Sequence, residues 1–287
     1  MAYDYGFEIM VKVYTKNSTL TYQYNKHADK STEIHFTVPF STETEKQITE
    51  IVLYNINPGH FNSIKRGDKV ELFAGYHDDN GLLMSGTIFR TSTPTLEDAD
   101  TAYTLRVLEG PDYTTLPKLN ITFAKGTYAE TIVREVARRA NMQLNIMNTN
   151  FNKRYDEEYT AEGHPLEILS QIAEDTKTSL FYLRGKLTWA SIFNGRNAET
   201  FNLNVNTGLI GSPVVESRDD DWQDWDDDDG LGHWSFSCES ILNFHLTTFS
   251  RVEVHSKYLN HGMYVINGEH TFDGEEARTK FEGIENM

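Results

Sequence analysis

Residues 216–230 read ESRDDDWQDWDDDDG, eight aspartates and two tryptophans in fifteen positions. Carboxylates at this density first suggest a divalent cation. An EF-hand loop places oxygen ligands at alternate positions, a glycine at the sixth and a glutamate at the twelfth. Counted from Asp224, Asp226 and Asp228 fall correctly, but Asp229 stands sixth, Gly230 seventh and Ser235 twelfth. The register fails, and no metal site is assigned. Asp219, Asp220, Asp221, Asp224, Asp226, Asp227, Asp228 and Asp229 are expected instead to form a solvated acidic interaction loop, spread by its own repulsion and pinned by Trp222 and Trp225.

Histidine offers the other chemistry. His255, His261 and His270, with Asp273, could form a metal or acid–base cluster, but gaps of six and nine follow no helix face and no HExxH occurs. His255 alternates with Val252 and Val254, which suits a surface or interface histidine on a strand. There is no GxSxG elbow, no GxxxxGKS/T loop and no GxGxxG turn. With 43 acidic residues, carboxylate pairs arise by number alone and decide nothing. No catalytic residue and no cofactor are assigned, and a non-enzymatic role is expected. Arg134, Arg138 and Arg139 recur at helical spacing, as a solvated helix face would.

The bulk properties agree. Lys and Arg total 26 against 43 Asp and Glu, a net charge of −17 over 287 residues. Such a chain repels phosphate backbones in its mean field. Its length suits two or three compact units. No run of about 18 apolar residues is present, so no membrane-spanning helix is expected. The opening MAYDYGFEIM has an early aspartate and no basic stretch before an apolar run, unlike a secretory leader. A single cysteine, Cys238, excludes an internal disulfide framework and points to folding in a reducing host cytoplasm.

The elements that must position any site are mostly strands. Phe7, Ile9, Val11 and Val13 alternate with more polar residues, as do Leu20, Tyr22 and Tyr24, then Ile34, Phe36 and Val38. ITEIVLYNI is apolar on both sides, with Ile48, Val52 and Tyr54 on one and Ile51 and Leu53 on the other, which predicts burial on both faces. In FNSIKRGDKVELFAGY, Gly67 and Asp68 should turn the chain into a strand bearing Val70, Leu72, Ala74 and Tyr76. Gly75 and Tyr76 should bend it into a reversal at His77–Gly81. Tyr103, Leu105 and Val107 mark a further strand. Six or seven strands at this spacing indicate a barrel or sandwich.

Near residue 116 the pattern changes. Thr127 and Glu130 fit a capping box before a stripe of Ile132, Val133, Val136 and Ala140. Pro165 should open a second helix with Leu166, Leu169, Ile172 and Ala173 inward. LFYLRGKLTWA should turn at Arg184–Gly185. The last third returns to strands in FSRVEVHSKYL and GMYVINGEHTF.

Several segments, in order, resemble the central hub protein of phage tail baseplates, including the hubs of contractile-tailed phages and the late control protein D-like proteins. They are IVLYNINPGHFNSIKRGDKVELFAGY, MSGTIFRTSTPT, TAYTLRVLEGPDY, GTYAETIVREVARRANM, GHPLEILSQIAEDTKTSLFYLRGKLTWAS, Leu209–Pro213 and YVINGEHTFDGEEARTKFEG. Each is mostly strand grammar; their collinear succession carries the likeness. The acidic loop at 216–230 has no counterpart in the pattern. The resemblance implies a mainly β chain with an α+β insertion: a tail-tube-like β-barrel at 1–115, a two-helix α+β unit at 116–195 and a second barrel at 196–287. It implies a structural virion protein forming a homotrimer, with a tail tube or distal tail protein above, a spike or tip protein below and other baseplate subunits around it. DNA would pass through the channel without specific binding. A trimer would carry about −51 formal charges, so a bore lined by part of that charge would let DNA slide. The competing expectations are a tail-borne glycan hydrolase with two converging carboxylates and a carbohydrate-binding β module using Trp222, Trp225 and Trp234.

Overall fold

The computed structural model describes residues 6–25, 31–97, 99–147, 153–191, 200–217 and 231–286. Strand β1 (Phe7–Tyr14) pairs antiparallel with β2 (Thr19–Asn25) on one side and β5 (Lys69–Tyr76) on the other. Beyond β5 the order runs through β6 (Asp79–Thr91), β8 (Asp100–Glu109), β4 (Ile48–Tyr54) and β3 (Ile34–Ser41), with β7 (Thr95–Glu97) as a short flap on β8. Every alternation read from the sequence here puts its apolar residues inward: Ile9, Val11, Val13, Ile34, Val70, Leu72, Leu105 and Val107 are all buried in one cluster. A one-faced strand needs such a cluster to hide its apolar side.

The strand order does not stop at β3. Strand β18 (Asn260–Phe272) is thirteen residues long. Its first part pairs with β17 (Arg251–His255) and its last part with β3, from Asn267 opposite Ser41 to Phe272 opposite Phe36. From β18 the sheet continues through β19 (Ala277–Asn286) and β16 (Leu231–Ile241) to β15 (Leu209–Ser217), while β14 (Thr200–Leu203) pairs with β17. The result is one fourteen-stranded sheet. Two separate closed barrels were expected; among the described residues no ladder closes either strand set. The physical reason is the length of β18, which serves both sets at once. The first set does curl on itself: the Thr32 amide donates to the Gln23 carbonyl at 2.7 Å, bringing the approach to β3 beside β2.

The α+β unit has its own core. Helices α2 (Ala129–Arg139) and α3 (Pro165–Asp175) cover a three-stranded sheet of β10 (Leu144–Met147), β13 (Lys186–Ala190) and β12 (Ser179–Leu183), flanked by a ribbon of β9 (Leu119–Phe123) and β11 (Tyr159–Gly163). Ile132, Val133, Val136, Leu169, Ile172 and Trp189 pack there, all nearly inaccessible. The β12–β13 hairpin turns at Arg184 and Gly185, both with positive φ (49° and 84°), as a two-residue turn with both central residues left-handed demands.

Three local expectations differ. The capping box sits on α3 rather than α2: the His164 side chain accepts from the Leu166 amide and Glu167 reaches back to the His164 amide. On α2 the cap is Tyr128, without a side-chain bond; Thr127 instead donates its hydroxyl to Ala124, and Glu130 pairs with Arg134. Strand β4 is buried on one face only, through Thr49, Ile51 and Leu53, while Ile48 is 48% exposed. The β5–β6 reversal uses only His77 and Asp78, since Tyr76 already faces Asp79. A Cβ at Gly75 would overlap the Asp79 carbonyl oxygen, so glycine is required by close approach. Finally, Asn57-Pro58 opens a short helix α1 (Pro58–Ser63), in which Asn57 accepts from the Gly59 and His60 amides and Phe61 is buried.

Candidate assembly site

Two features of this fold bear on function: the outward face of the joined sheet with its end strands, and the junction where the α+β unit meets the strands. The outward face follows from pleat and register. Where Val38, Phe40, His270 and Phe281 point into the cores, their neighbours point out, so Pro39, Glu269 and Lys280 share one row and Ser41, Asn267 and Glu282 the next. The rows continue onto β16, where Glu239 faces Lys280 and Ser237 faces Glu282. Arg278 lies 2.8 Å from Glu276 and 3.6 Å from Glu239, and Arg106 lies 3.0 Å from Glu50 on the β3 side. A groove of about 650 Å³ opens on this face, and its charged lining is Glu43, Glu239, Glu269 and Glu282 against Lys280. This is a polar, net-acidic surface.

At the ends of the path, among the described residues, β15 forms a ladder with β16 alone and β2 with β1 alone, and the outer edge of β2 already meets the Thr32 amide and the Ser31 hydroxyl. Along the β15 end, Val214, Val215 and Trp234 are 52%, 42% and 46% exposed. A bulge between Ile210 and Val214, with Pro213 inside it, interrupts the pairing to β16. Proline there is tolerated because an edge strand need not donate on its outer side.

The junction is buried and polar. Glu109, the last residue of β8, is 6% exposed, and its Oε1 accepts the Gly185 amide at 3.0 Å. Burial pushes its carboxyl up to about 7, against the pull of the Gly185 and Arg184 amides, Lys46 and the Arg184 guanidinium. Arg184 Nη2 donates to the carbonyls of Phe244 and His245, at 2.5 and 3.3 Å. His270 is buried, with Nδ1 and Thr279 Oγ1 2.9 Å apart; burial lowers it to about 3, assisted by Arg184. Sequence reasoning missed Glu109, although the parity that turns Leu105 and Val107 inward turns residue 109 inward too.

The acidic loop residues Asp219, Asp220, Asp221, Asp224, Asp226, Asp227, Asp228 and Asp229, with Trp222 and Trp225, lie outside the described residues. The late histidines do not converge. His255 is exposed on β17, His261 stacks on Phe236 beside Glu285, and His270 belongs to the junction. Asp273 accepts the Glu275 and Glu276 amides in a turn. Arg134, Arg138 and Arg139 are engaged with Glu130 and Glu135 on the solvent side of α2. Burial raises the Cys238 thiol to about 12. Among the described residues no three His, Cys, Asp or Glu side chains are placed to hold a metal ion, and no helix is long and apolar enough to cross a membrane.

No protein family's sequence profile matches the chain, and no curated protein matches it. Solved structures do. A tail protein from Neisseria meningitidis MC58 superposes with a TM-score of 0.65 at 12% identity, over 96% of both chains. The 43 kDa tail protein of prophage MuSo2 from Shewanella oneidensis gives 0.63 at 10% identity, over 97% of this chain and 96% of its own. This chain has the fold of phage tail proteins. The Escherichia coli c3393 protein, a type VI secretion system component described as similar in structure to the bacteriophage T4 tail proteins gp27 and gp5, gives 0.63 at 9% identity over 96% of this chain and 77% of its own. The likeness to phage tail proteins is thus one of fold, over nearly all of this chain.

Proposed function

We propose that the chain is a structural subunit of a phage-type tail, the central baseplate hub that joins a six-fold tube to a three-fold spike or tip. In this reading the strand sets within 1–115 and 196–287 are the two tail-tube-like modules, and 116–195 is a unit carried between them. Three copies give six modules. The observation that carries the reading is the β18–β3 ladder, which fuses the two sets into one curved wall with a polar outward face. Two strand sets in one sheet suit a repeating wall better than a substrate cleft.

The β15 edge is where a neighbouring copy would continue the sheet, since edge amides and carbonyls favour a further strand. A head-to-tail contact of this kind closes into a ring when its rotation allows. The net-acidic groove on the outward face favours the channel side, where DNA would meet like charge and pass without being held. The reading is non-catalytic and needs no cofactor, and it locates the protein in the tail of the assembled particle after folding in the host cytoplasm.

The test is an edge variant. Val215→Arg alters an exposed strand end and should leave the stability of the isolated chain within about 0.5 kcal/mol. Sedimentation with tube and spike partners should then show assembly of the wild type and its loss in the variant. A wild-type chain that stays a monomer with both partners present removes the reading.

A further inference from the structure

The buried junction ties three parts of the chain together at the tip of one hairpin. Gly185 lies so close to the β6 strand that a Cβ there would sit 2.5 Å from the Ser85 carbonyl oxygen, and Gly110 lies as close to the Tyr182 ring, at 2.6 Å. The Gly110 amide donates to that same Ser85 carbonyl at 2.9 Å. Arg184 reaches past them to the 242–249 loop, which is itself held to the β5–β6 hairpin by His245 and Asp79, 2.8 Å apart. In the middle stands the Glu109 carboxyl, bound to the Gly185 amide.

We propose that Glu109 is the catch of a proton-controlled latch between the β12–β13 hairpin tip and the strand frame, closed while its carboxyl is neutral and opened when the carboxyl gives its proton to solvent. The inference is independent of the tail reading. The groups facing Glu109 set its balance. Lys46 lies over the Tyr182 ring at 4.9 Å and donates to the Pro111 carbonyl; Arg184, Tyr182 and His270 share with Glu109 the wall of a small cavity; Asp112 and Tyr113 follow it in the chain. His270 is held neutral and Asp112 anionic, so the Gly185 and Arg184 amides, then the cations Lys46 and Arg184, are what offset a charge on Glu109. They offset it only in part, because burial outweighs them and holds the acid near 7. When the tip lifts, water reaches the carboxyl and its ordinary acidity returns, so ionisation drains towards the open form. The opening equilibrium should rise on the order of tenfold from pH 6 to pH 8.

The test is amide hydrogen exchange of the full chain at pH 6 and pH 8, corrected for intrinsic rates, for wild type and Glu109→Gln. The glutamine keeps a carbonyl to accept from Gly185 but cannot ionise. Protection at Gly185 and its hairpin neighbours should fall roughly tenfold in the wild type and stay flat in the variant, with β1 amides unchanged in both. A wild type without this loss, or a variant that loses protection equally, overturns the latch. Should the variant fail to fold, a carbon-13 titration of the Glu109 carboxyl in the unmodified chain decides: a midpoint near 7 supports the latch, and an ordinary carboxylate midpoint overturns it.

Discussion

The rings of Tyr24 and Phe272 lie 5.0 Å apart, although their strands, β2 and β18, are separated in the sheet by six others. Phe272 also contacts Phe7 at 4.9 Å and faces Phe36 across the β3 ladder. The first strand set curls until β2 and the end of β18 share one core, and Phe272 is a residue of the C-terminal strand set that fills the closure. Phe272→Ala should therefore cost about 3–5 kcal/mol, read as a shift in urea midpoint. Tyr258→Ala, at a residue 75% exposed, should change stability by no more than about 0.5 kcal/mol. Equal effects would mean that the curl is not held by this contact.

Gly268 occupies the seam between β3 and β19. A Cβ there would overlap the Lys280 carbonyl oxygen and sit 2.5 Å from Phe40 Cζ. Gly268→Ala should destabilise by about 1–3 kcal/mol through overpacking. Gly211→Ala is the comparison: its φ of 66° is strained for alanine, but no atom lies in the way. Thermal melts of both should place Gly268→Ala well below Gly211→Ala.

Arg184 combines a turn and a tether. Asparagine accepts the left-handed conformation at φ 49°, so Arg184→Asn keeps the turn while removing the bonds to Phe244 and His245. A loss of about 1.5–3 kcal/mol in equilibrium unfolding is expected for the charged hydrogen bonds. An unchanged stability would show that the guanidinium contacts contribute nothing net.

Two buried groups give opposite pH slopes. His270 binds fewer protons folded than unfolded between about 3 and its ordinary 6.5, so its share of stability is present above 6.5 and is lost as pH falls through that window. Glu109 binds more protons folded between its ordinary 4.5 and about 7, so its share is lost as pH rises. The slopes oppose each other between 4.5 and 6.5, and below 4.5 only that of His270 remains. Urea midpoints from pH 3 to 4.5 should fall less steeply for His270→Gln than for wild type. Parallel curves would mean that the imidazole is not held neutral.

Much of the sheet was legible because a one-faced strand writes its burial in a period of two: Ile9, Val11, Leu105 and Val107 needed no tertiary information. The Arg184–Gly185 turn was legible because short hairpins restrict their central residues. The joining of the two strand sets was not, since nothing local says that β18 keeps pairing with β3 after leaving β17. The register there sets Phe272 opposite Phe36, residues far apart in the chain. The α2 cap was misread because a hydroxyl and a carboxylate three residues apart also satisfy a plain turn, which is how Thr127 is used. Glu109 escaped notice because a carboxylate at an inward position reads as the end of a strand, whereas here the Gly185 amide meets it from outside the local sequence.

The most direct measurement is a three-dimensional electron-microscopy reconstruction of the protein assembled with its tube and spike partners. Three copies should surround an open channel, their sheets continued at the β15 edge with Glu239, Glu269 and Glu282 facing the bore. A chain bound off the axis as a single copy, or a ring whose bore is lined by the basic face of α2, would contradict the hub.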